Sequence, residues 1–344
     1  MSNGKEVKAA FAKALAWGTA VACVGTDVVL ITKESIPQSI EHLPDDMAGQ
    51  YWPVEADQGL ITCGGELAGY LRYEALGKLL AMAMGAASAP APLGGGAYLH
   101  QLRMTGNTDG LFGTLAVFKG FSVHEYASVK VDGFTIEGMA GQPVQVTFHL
   151  ICDGLTLNTS TGANTVAGME ALSAPDSGNR VLFHQGQFWL NDKDGGALGQ
   201  GDEIFPSRFV LSFRRNLTGD HLAGGNQKIA ESVMAAFPEL SLTLEFPTYS
   251  SDTYLDDLGS DTRKKIKINF AALEIAPGVF FGFSLFMPHL VLTNATTAVD
   301  RAGKIQHPIT ADILGAASAP EGMPGITAPL AIDLVNTEAL GPLA

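Results

Sequence analysis

Apolar and polar positions alternate, and then change spacing, in the same way at two places along the chain. Around Glu66 the sequence reads E-L-A-G-Y-L-R-Y-E-A-L-G-K-L-L-A-M-A-M-G, and around Glu239 it reads E-L-S-L-T-L-E-F-P-T-Y-S-S-D-T-Y-L-D-D-L-G. Each stretch begins with Glu-Leu, alternates as a strand does, and then takes on helical spacing. Each stops at a glycine, Gly85 or Gly259, as helices commonly do. The pattern predicts one strand–helix unit that occurs twice.

The segments around the two units also match in order. An apolar strand precedes each unit, at Val28–Ile31 and at Phe209–Leu211, and a long polar loop follows that strand. A Phe-Ser strand opening comes after each unit, at Phe121 and Phe283, and a second alternating strand lies near residues 144–151 and 305–314. We therefore interpret the chain as a duplicated domain, which is typical of a building block for a symmetric assembly.

The predicted elements indicate an α+β fold that is mainly β. A helix over residues 74–84 places Leu76, Leu79, Leu80 and Ala83 on one face, which suits a helix that covers a sheet. Further strands are predicted at residues 111–119, 121–131, 134–136, 265–273 and 279–285, and a loop at 87–96. We expect two tandem β-sandwich or half-barrel domains, each with one covering helix. The first spans residues 1–155, a connection spans 156–180, the second spans 181–315, and a tail spans 316–344.

A long segment in each predicted domain is interpreted as an arm. Residues 33–58 contain Pro37, Pro44 and Pro53, which exclude a central strand. Because a long loop that carries large apolar residues commonly docks on another surface, we expect this arm to reach a neighbouring subunit. The candidate contact residues are Ile40, Leu43, Met47, Tyr51 and Trp52. Residues 216–238 form the corresponding arm of the second domain.

Composition and charge narrow the function classes. The chain has 344 residues, of which 46% are hydrophobic and 16% are charged, and its net charge is −14. Such an acidic chain lacks the basic patches that track nucleic acid, and the low charged fraction favours extensive subunit contacts. We expect no membrane span, because no run of 18 apolar residues is present, and no secretion signal at the start. Three cysteines without metal or redox spacing favour reduced, buried thiols in the cytosol.

The motifs that carry chemistry give weak signals. Asp192, Asp194 and Glu203 imitate three positions of a calcium loop, but Ala197 stands where that loop needs glycine. The eight histidines have no metal-ligand spacing. His124 with Glu125 and Asp132 could form an acid–base pair, yet they lie on an alternating strand where polar residues normally face outward. We predict no catalytic, cofactor-binding or metal-binding residues.

The single basic run, Arg263-Lys264-Lys265 with Lys267, has two interpretations. It either protects a sheet edge against aggregation or donates salt bridges across a joint between subunits. Lys264, Lys265 and Lys267 are therefore candidates for charged contacts between subunits.

Several segments together resemble a known family. They are A-W-G-T at residues 16–19, E-S-I-P at 34–37, G-E-L-A-G-Y-L-R-Y-E-A-L-G-K-L-L at 65–80, S-V-K-V-D-G-F-T-I-E-G at 128–138, L-E-F-P-T-Y at 244–249 and L-F-M-P-H-L-V-L-T-N-A at 285–295. In this order they are similar to the tail tube proteins of long-tailed, siphovirus-like bacteriophages. The resemblance extends across most of the chain, although the doubled domain departs from simpler members.

The resemblance implies a virion protein, made in the host cytoplasm, that polymerises into stacked rings around a channel. It implies tube-type domains whose inner sheets join around the channel, with a long loop that reaches the next ring. Partners would be further copies of the chain and other tail proteins such as the tape measure, terminator and distal tail proteins. DNA would pass without specific binding, because an acidic channel repels phosphates.

We therefore expect the major subunit of a tail tube, which is not an enzyme and needs no cofactor. A ring of three chains with pseudo-sixfold symmetry would suit the duplication, and a hexamer with second domains outside is the alternative. A tube initiator or terminator is a second possible function. A carbohydrate-binding β-sandwich module is a third, but Trp17, Trp52 and Trp189 are far apart in sequence.

Overall fold

The computed structural model of the chain describes residues 4–158, 162–173, 179–224, 227–299 and 302–343. The fold is α+β and mainly β, as the alternation of apolar and polar residues predicts. Within these ranges the paired strands of both halves are antiparallel. Sheets of this kind bury one face and leave the other partly solvated, which is why the strands alternate in sequence.

The elements of the first half, in chain order, are β1 (Lys8–Lys13), β2 (Val28–Val29), β3 (Lys33–Ser35), β4 (Gln38–Pro44), β5 (Ala56–Tyr70), α1 (Gly77–Met84), β6 (Gly85–Ala87), β7 (Ala91–Gly94), β8 (Ala97–Met104), β9 (Gly113–Phe118), β10 (Val123–Met139), β11 (Gln145–Cys152), β12 (Thr156–Asn158) and α2 (Val166–Ala171). Those of the second half are β13 (Gly186–Asp192), β14 (Glu203–Ile204), β15 (Arg208–Arg214), β16 (Leu217–Thr218), β17 (Val233–Met234), β18 (Glu239–Phe246), α3 (Thr253–Gly259), β19 (Lys264–Ala276), β20 (Val279–Asn294), β21 (His307–Ile313) and β22 (Ala331–Asn336).

The two halves have the same order of paired strands. In the first half, β3 and β4 pair with β5, and the sheet continues through β11, β10, β9, β1 and β2. In the second half, β15 pairs with β18, and the sheet continues through β21, β20, β19, β13 and β14. Each strand of one series therefore has a counterpart in the other.

The correspondence extends to the register of the strands. Val129 lies opposite Cys152 in the first half, and Leu290 lies opposite Ile313 in the second. Both ladders then run for two more pairs, skip one residue, and resume at Gly133–His149 and at Asn294–Thr310. Because a bulge inserts an extra residue and bends its strand, the same bulge in both halves gives the two sheets the same local shape.

A short 3-10 helix before β2 has a matching counterpart before β14. The helices span Gly25–Asp27 and Gln200–Asp202. In each, the terminal aspartate accepts a hydrogen bond at 2.8 Å from the backbone N–H of the residue before the helix, Val24 or Gly199. The same local capping therefore precedes the same strand in both halves.

The sequence pattern identified the repeated unit but aligned it in the wrong register. Strand pairing matches Glu66 with Thr243 rather than with Glu239, and it matches Phe209 with Glu34 rather than with Val28. The shared Glu-Leu pairs mislead because the pairing of whole strands, and not one short match in sequence, sets the register. Both helices stop at the predicted glycines, because Gly85, with a φ of 95°, follows the last residue of α1 and Gly259 is the last residue of α3.

Helix α1 is buried on all sides, although the sequence predicts one apolar face. It begins at Gly77 instead of residue 74 because Ala75 has a φ of 67°, which breaks the helical backbone. Residues Leu79–Met84 are all buried, since β10 lies on one side of the helix and β6 and β8 lie on another. The strand β8, which the sequence analysis missed, thus completes the cover of this helix.

A side chain from the second half holds the C-terminus of α1. Arg215 is fully buried, and its guanidinium donates to the carbonyls of Ala83 (2.6 Å), Met84 (2.6 Å) and Thr105 (2.8 Å). The last carbonyls of a helix have no partner inside it and attract positive charge. Burial lowers the pKa of Arg215 to about 10, which leaves the guanidinium charged at neutral pH.

The two halves are joined by sheet pairing and by a shared core. Strand β15 of the second half pairs with the end of β10, and β22 pairs with both β20 and β8. Residues 316–344, predicted as a tail, therefore contribute a strand to the sheet. One cluster of buried apolar side chains runs through both halves, with the ring of Phe134 5.4 Å from that of Phe213 and 6.3 Å from that of Phe148.

Candidate assembly interface

The first arm is a β-hairpin, whereas the sequence analysis predicted a loop. Strand β5 pairs with β11 only from Cys63 onward, and before that point it pairs with β4 down to Ala56 opposite Pro44. The prolines fit because Pro37 lies between β3 and β4, Pro44 ends β4, and Pro53 lies in the tip. Proline excludes a strand that is paired on both sides, but it is tolerated at an edge. The hairpin extends about 25–30 Å past the sheet, judged from the rise per strand residue.

Large apolar side chains are exposed along this hairpin. Tyr51 is 96% exposed, Trp52 is 72% exposed and Met47 is 64% exposed, while Leu43 is also exposed and Ile40, nearer the sheet, is half-buried. The rings of Tyr51 and Trp52 contact each other with centroids 6.2 Å apart. Because contiguous exposed apolar surface marks interaction sites in soluble proteins, the tip of the arm is the strongest candidate contact surface.

The second arm occupies the same place in its half but folds back on the chain. Its residue His221 hydrogen-bonds the carbonyl of Ile61, and the carbonyl of Gln227 accepts from the N–H of Ile61 at 2.9 Å. The buried Lys130 of β10 donates to Glu231 (2.7 Å) and to the carbonyl of Ser232 (2.8 Å). These contacts tether the described residues of the second arm to the base of the first arm and to β10, and the two predicted arms therefore differ in form.

The candidate lysines are bound within the chain. Lys264 is buried and pairs with Asp192 (2.7 Å) and Asp257 (2.6 Å). Lys265 is fully buried and donates to the carbonyls of Gly195 (2.7 Å) and Glu321 (3.1 Å). Both lysines therefore have partners within the chain, and their contact between subunits stays a prediction.

Lys267 differs from these two lysines in its surroundings. It is half-buried and lies over the rings of Trp189 and Phe286, at 5.4 Å from each centroid. For Lys267 the contact between subunits stays a prediction.

The polar residues that were candidates for acid–base chemistry or calcium binding form hydrogen bonds and ion pairs within the fold. Glu125 is buried and accepts hydrogen bonds from Asn158 and Asn164, while Asp132 binds Arg214 and the N–H of Leu217. Asp192 of the calcium-like sequence pairs with Lys264. Among the described residues, no group of three His, Cys, Asp or Glu side chains is arranged to hold a metal ion.

The fold brings together two cysteines that sequence spacing separates. Cys63 on β5 lies directly opposite Cys152 on β11, and both are buried free thiols. Burial and the neighbouring thiol raise the pKa of Cys152 well above its usual value, which keeps it protonated and unreactive. Only strand pairing reveals this contact, since no short motif connects the two positions.

The fold is a duplicated antiparallel sheet from which one hairpin arm projects. The sequence profile of a family described as phage tail tube protein matches residues 4–333. The chain belongs to the phage tail tube protein family. Family membership makes it a structural component of the virion tail. A comparison with curated proteins finds no match.

In the ranges that the structure describes, no helix combines the length and the apolar character needed to cross a lipid bilayer.

The sequence analysis missed the pairing that connects the halves of this tail tube protein. Arg208 and Arg214 stand at the two ends of β15 and bind acids of β10, Glu137 at 2.7 Å and Asp132 at 3.1 Å. Arg208 also binds Glu245 of β18. The available signal was the segment R-F-V-L-S-F-R, an alternating strand with a cation at each end, whose charges need acids on both neighbouring strands.

Proposed function

We propose that this chain is the major subunit of a phage tail tube and that it polymerises into stacked rings around a channel for DNA. The exposed hairpin tip around Tyr51 and Trp52 is the observation that supports this most. The Tyr51 side chain is 96% exposed, so its apolar surface contributes no stabilising free energy until another surface covers it. In a stack of rings, the next ring supplies that surface.

The proposed ring contains three chains with pseudo-sixfold symmetry. The two halves of each chain act as two tube-type domains, and their shared strand order and register support similar positions around the ring. Edge strands that pair with neighbours would close the sheet and remove open edges, which otherwise invite aggregation. The shared strand order and different sequences of the halves suit a ring in which they alternate.

The proposed channel conducts DNA without binding it. A net charge of −14 on each chain repels phosphates from the wall wherever acidic groups face the channel. Other tail proteins, such as tape measure, terminator and distal tail proteins, would bind the inside and the ends of the tube. This function requires neither a cofactor nor a catalytic residue.

The test is electron microscopy of purified protein, with the arm shortened. In the shortened variant, a two-residue Asn-Gly turn joins Glu41 to Gly59, which removes the tip and keeps the pairing at the base of the hairpin. We expect tubes from the wild-type chain, and single rings that do not stack from the shortened variant.

A double variant, Tyr51→Ser with Trp52→Ser, should also fail to stack. The matched control is Leu15→Ser, because Leu15 is 91% exposed but lies outside the arm. This control should form tubes of normal length. Long tubes from the shortened variant, or a wild-type chain that stays monomeric at all concentrations, would contradict the proposal.

A further inference from the structure

Among the described residues, the first half has a sheet edge without a neighbouring strand at the place where the second half has a paired one. Strand β15 pairs with β18 on one side and with β10 on the other. Its counterpart, the β3–β4 edge, pairs with β5 on one side only, as far as the described residues go. One edge of the sheet therefore lacks the neighbour that its counterpart has.

The complementary gap lies at the end of β20. Strand β10 pairs with β9 as far as Val129 and then with β15 from Gly133 onward. Strand β20 pairs with β19 as far as Leu290, and within the described part of the chain its remaining residues have no strand on that side. The strand stops at Asn294, and the following residues 295–299 end with Val299, which is 71% exposed.

The geometry leading up to the gap is the same in both halves. The last pairs of β10 with β9 are Tyr126–Leu115 and Val129–Gly113, and those of β20 with β19 are Met287–Ile266 and Leu290–Lys264. Each includes one extra residue on the longer strand, which bends that strand in the same way. A partner strand would therefore approach β20 as β15 approaches β10.

We propose that residues 294–299 of one copy of this chain pair, as an added strand, with residues 34–39 of a second copy. The proposal rests on the ring of the proposed function and identifies the joint between its chains. The internal joint fixes the register. Because Glu137 lies opposite Val210 and Gly133 lies opposite Arg214, Ala298 lies opposite Ser35 of the other copy, and Asn294 lies opposite Ser39.

Pro37 does not obstruct this pairing. It corresponds to Ser212, and its carbonyl accepts a hydrogen bond from the N–H of Gly64 on β5. The N–H and C=O groups of successive strand residues point to opposite sides of the strand. Pro37 therefore lacks an N–H only on the side that faces β5. Glu34, Ile36 and Gln38 direct their backbone groups to the outward side.

The outward backbone groups of Ile36 already have partners in the single chain. Its N–H donates to the Glu34 carboxylate at 3.1 Å, and its carbonyl accepts from the Tyr126 hydroxyl at 3.1 Å. These side-chain bonds satisfy the edge before assembly, which reduces pairing with unrelated strands. Pairing with a second copy exchanges them for strand hydrogen bonds, and residues 295–299 then extend β20.

A pair of cysteines tests the register directly. In the double variant Ser35→Cys with Ala298→Cys, the two thiols face each other across the joint, so mild oxidation should produce disulfide-linked dimers and trimers on a non-reducing gel. The matched control is Ser35→Cys with Asn294→Cys. Residue 294 lies four residues along the strand from the position opposite Ser35, which is about 13 Å. A disulfide requires the two Cα atoms to lie within roughly 7 Å of each other.

The outcomes separate this joint from the proposed function. Linked oligomers from the first variant, with monomers from the control and from the wild-type chain, support the joint. If microscopy shows rings but the control cross-links as readily as the first variant, or neither does, the joint is wrong and the ring remains. If light scattering shows monomers at all concentrations, the proposed function fails and the joint fails with it.

Discussion

Replacing Arg215 with methionine removes the side chain that connects the second half to helix α1. Methionine keeps much of the aliphatic length, so the change mainly removes the guanidinium and its three hydrogen bonds. The carbonyl of Met84 keeps the N–H of Thr105 as a donor at 2.9 Å. The carbonyls of Ala83 and Thr105 lose the donors that Arg215 supplies.

The expected loss follows from these two carbonyls. A buried polar group without a partner costs about 1–3 kcal/mol, which gives about 2–6 kcal/mol for two. The lowered pKa of Arg215 indicates that burial already disfavours its charge, so removing the charge offsets part of this loss. We therefore expect Arg215→Met to lower the free energy of unfolding by about 2–4 kcal/mol.

The assay is urea unfolding followed by tryptophan fluorescence, with Arg214→Met as the matched control. Arg214 is the adjacent arginine, its side chain is 42% exposed, and its bond to Asp132 is 3.1 Å long. An ion pair of this exposure contributes about 0–1 kcal/mol. Equal losses for the two variants, or a loss below about 0.5 kcal/mol for Arg215→Met, would refute the role of Arg215 as a helix cap.

Two further predictions concern the second arm and pH. Lys130→Met should release residues 216–238 from β10, because it removes the donor to Glu231 and Ser232. Limited proteolysis should then cleave this segment faster than in the wild-type chain. An unchanged cleavage rate would show that the other contacts are enough to hold the segment. Burial, with a smaller effect from Arg214, lowers the pKa of His149 below its usual 6.5. The unfolded chain then binds more protons, so stability should fall as pH drops below about 6.5. Urea midpoints at neutral and mildly acidic pH measure this fall, and His149→Gln should lessen it.

The sequence predicted the fold class because alternation and helical spacing are local signals. Val144, Val146 and Phe148 face the core at every second residue, as their pattern requires. The pairing of β15 with β10 was not predictable in this way. It depends on where Gly133 bends β10, since a side chain there would come within 2.0 Å of the carbonyl of Phe213.

The candidate site was predicted only in part. The apolar residues of the first arm were identified from composition, but their hairpin form depends on the pairing of β4 with β5 beyond the sheet. The sequence does not reveal the partners of Lys264 and Lys265 within the chain, because these partners are remote in sequence. Asp192 and Glu321 come close to them only after the strands and the C-terminal segment have packed.

In the proposed ring, the different forms of the two arms would set the periodicity of each ring face. If halves alternate around a ring of three chains, projecting hairpins alternate with tethered loops, although the sheets behind them repeat six times. The next ring can then dock only at rotations of one third of a turn, because a rotation of one sixth places each hairpin where a tethered loop should lie. In such a tube, the duplication makes the wall more uniform but the rotation between neighbouring rings more selective. Each ring then fixes the rotation of the ring above it.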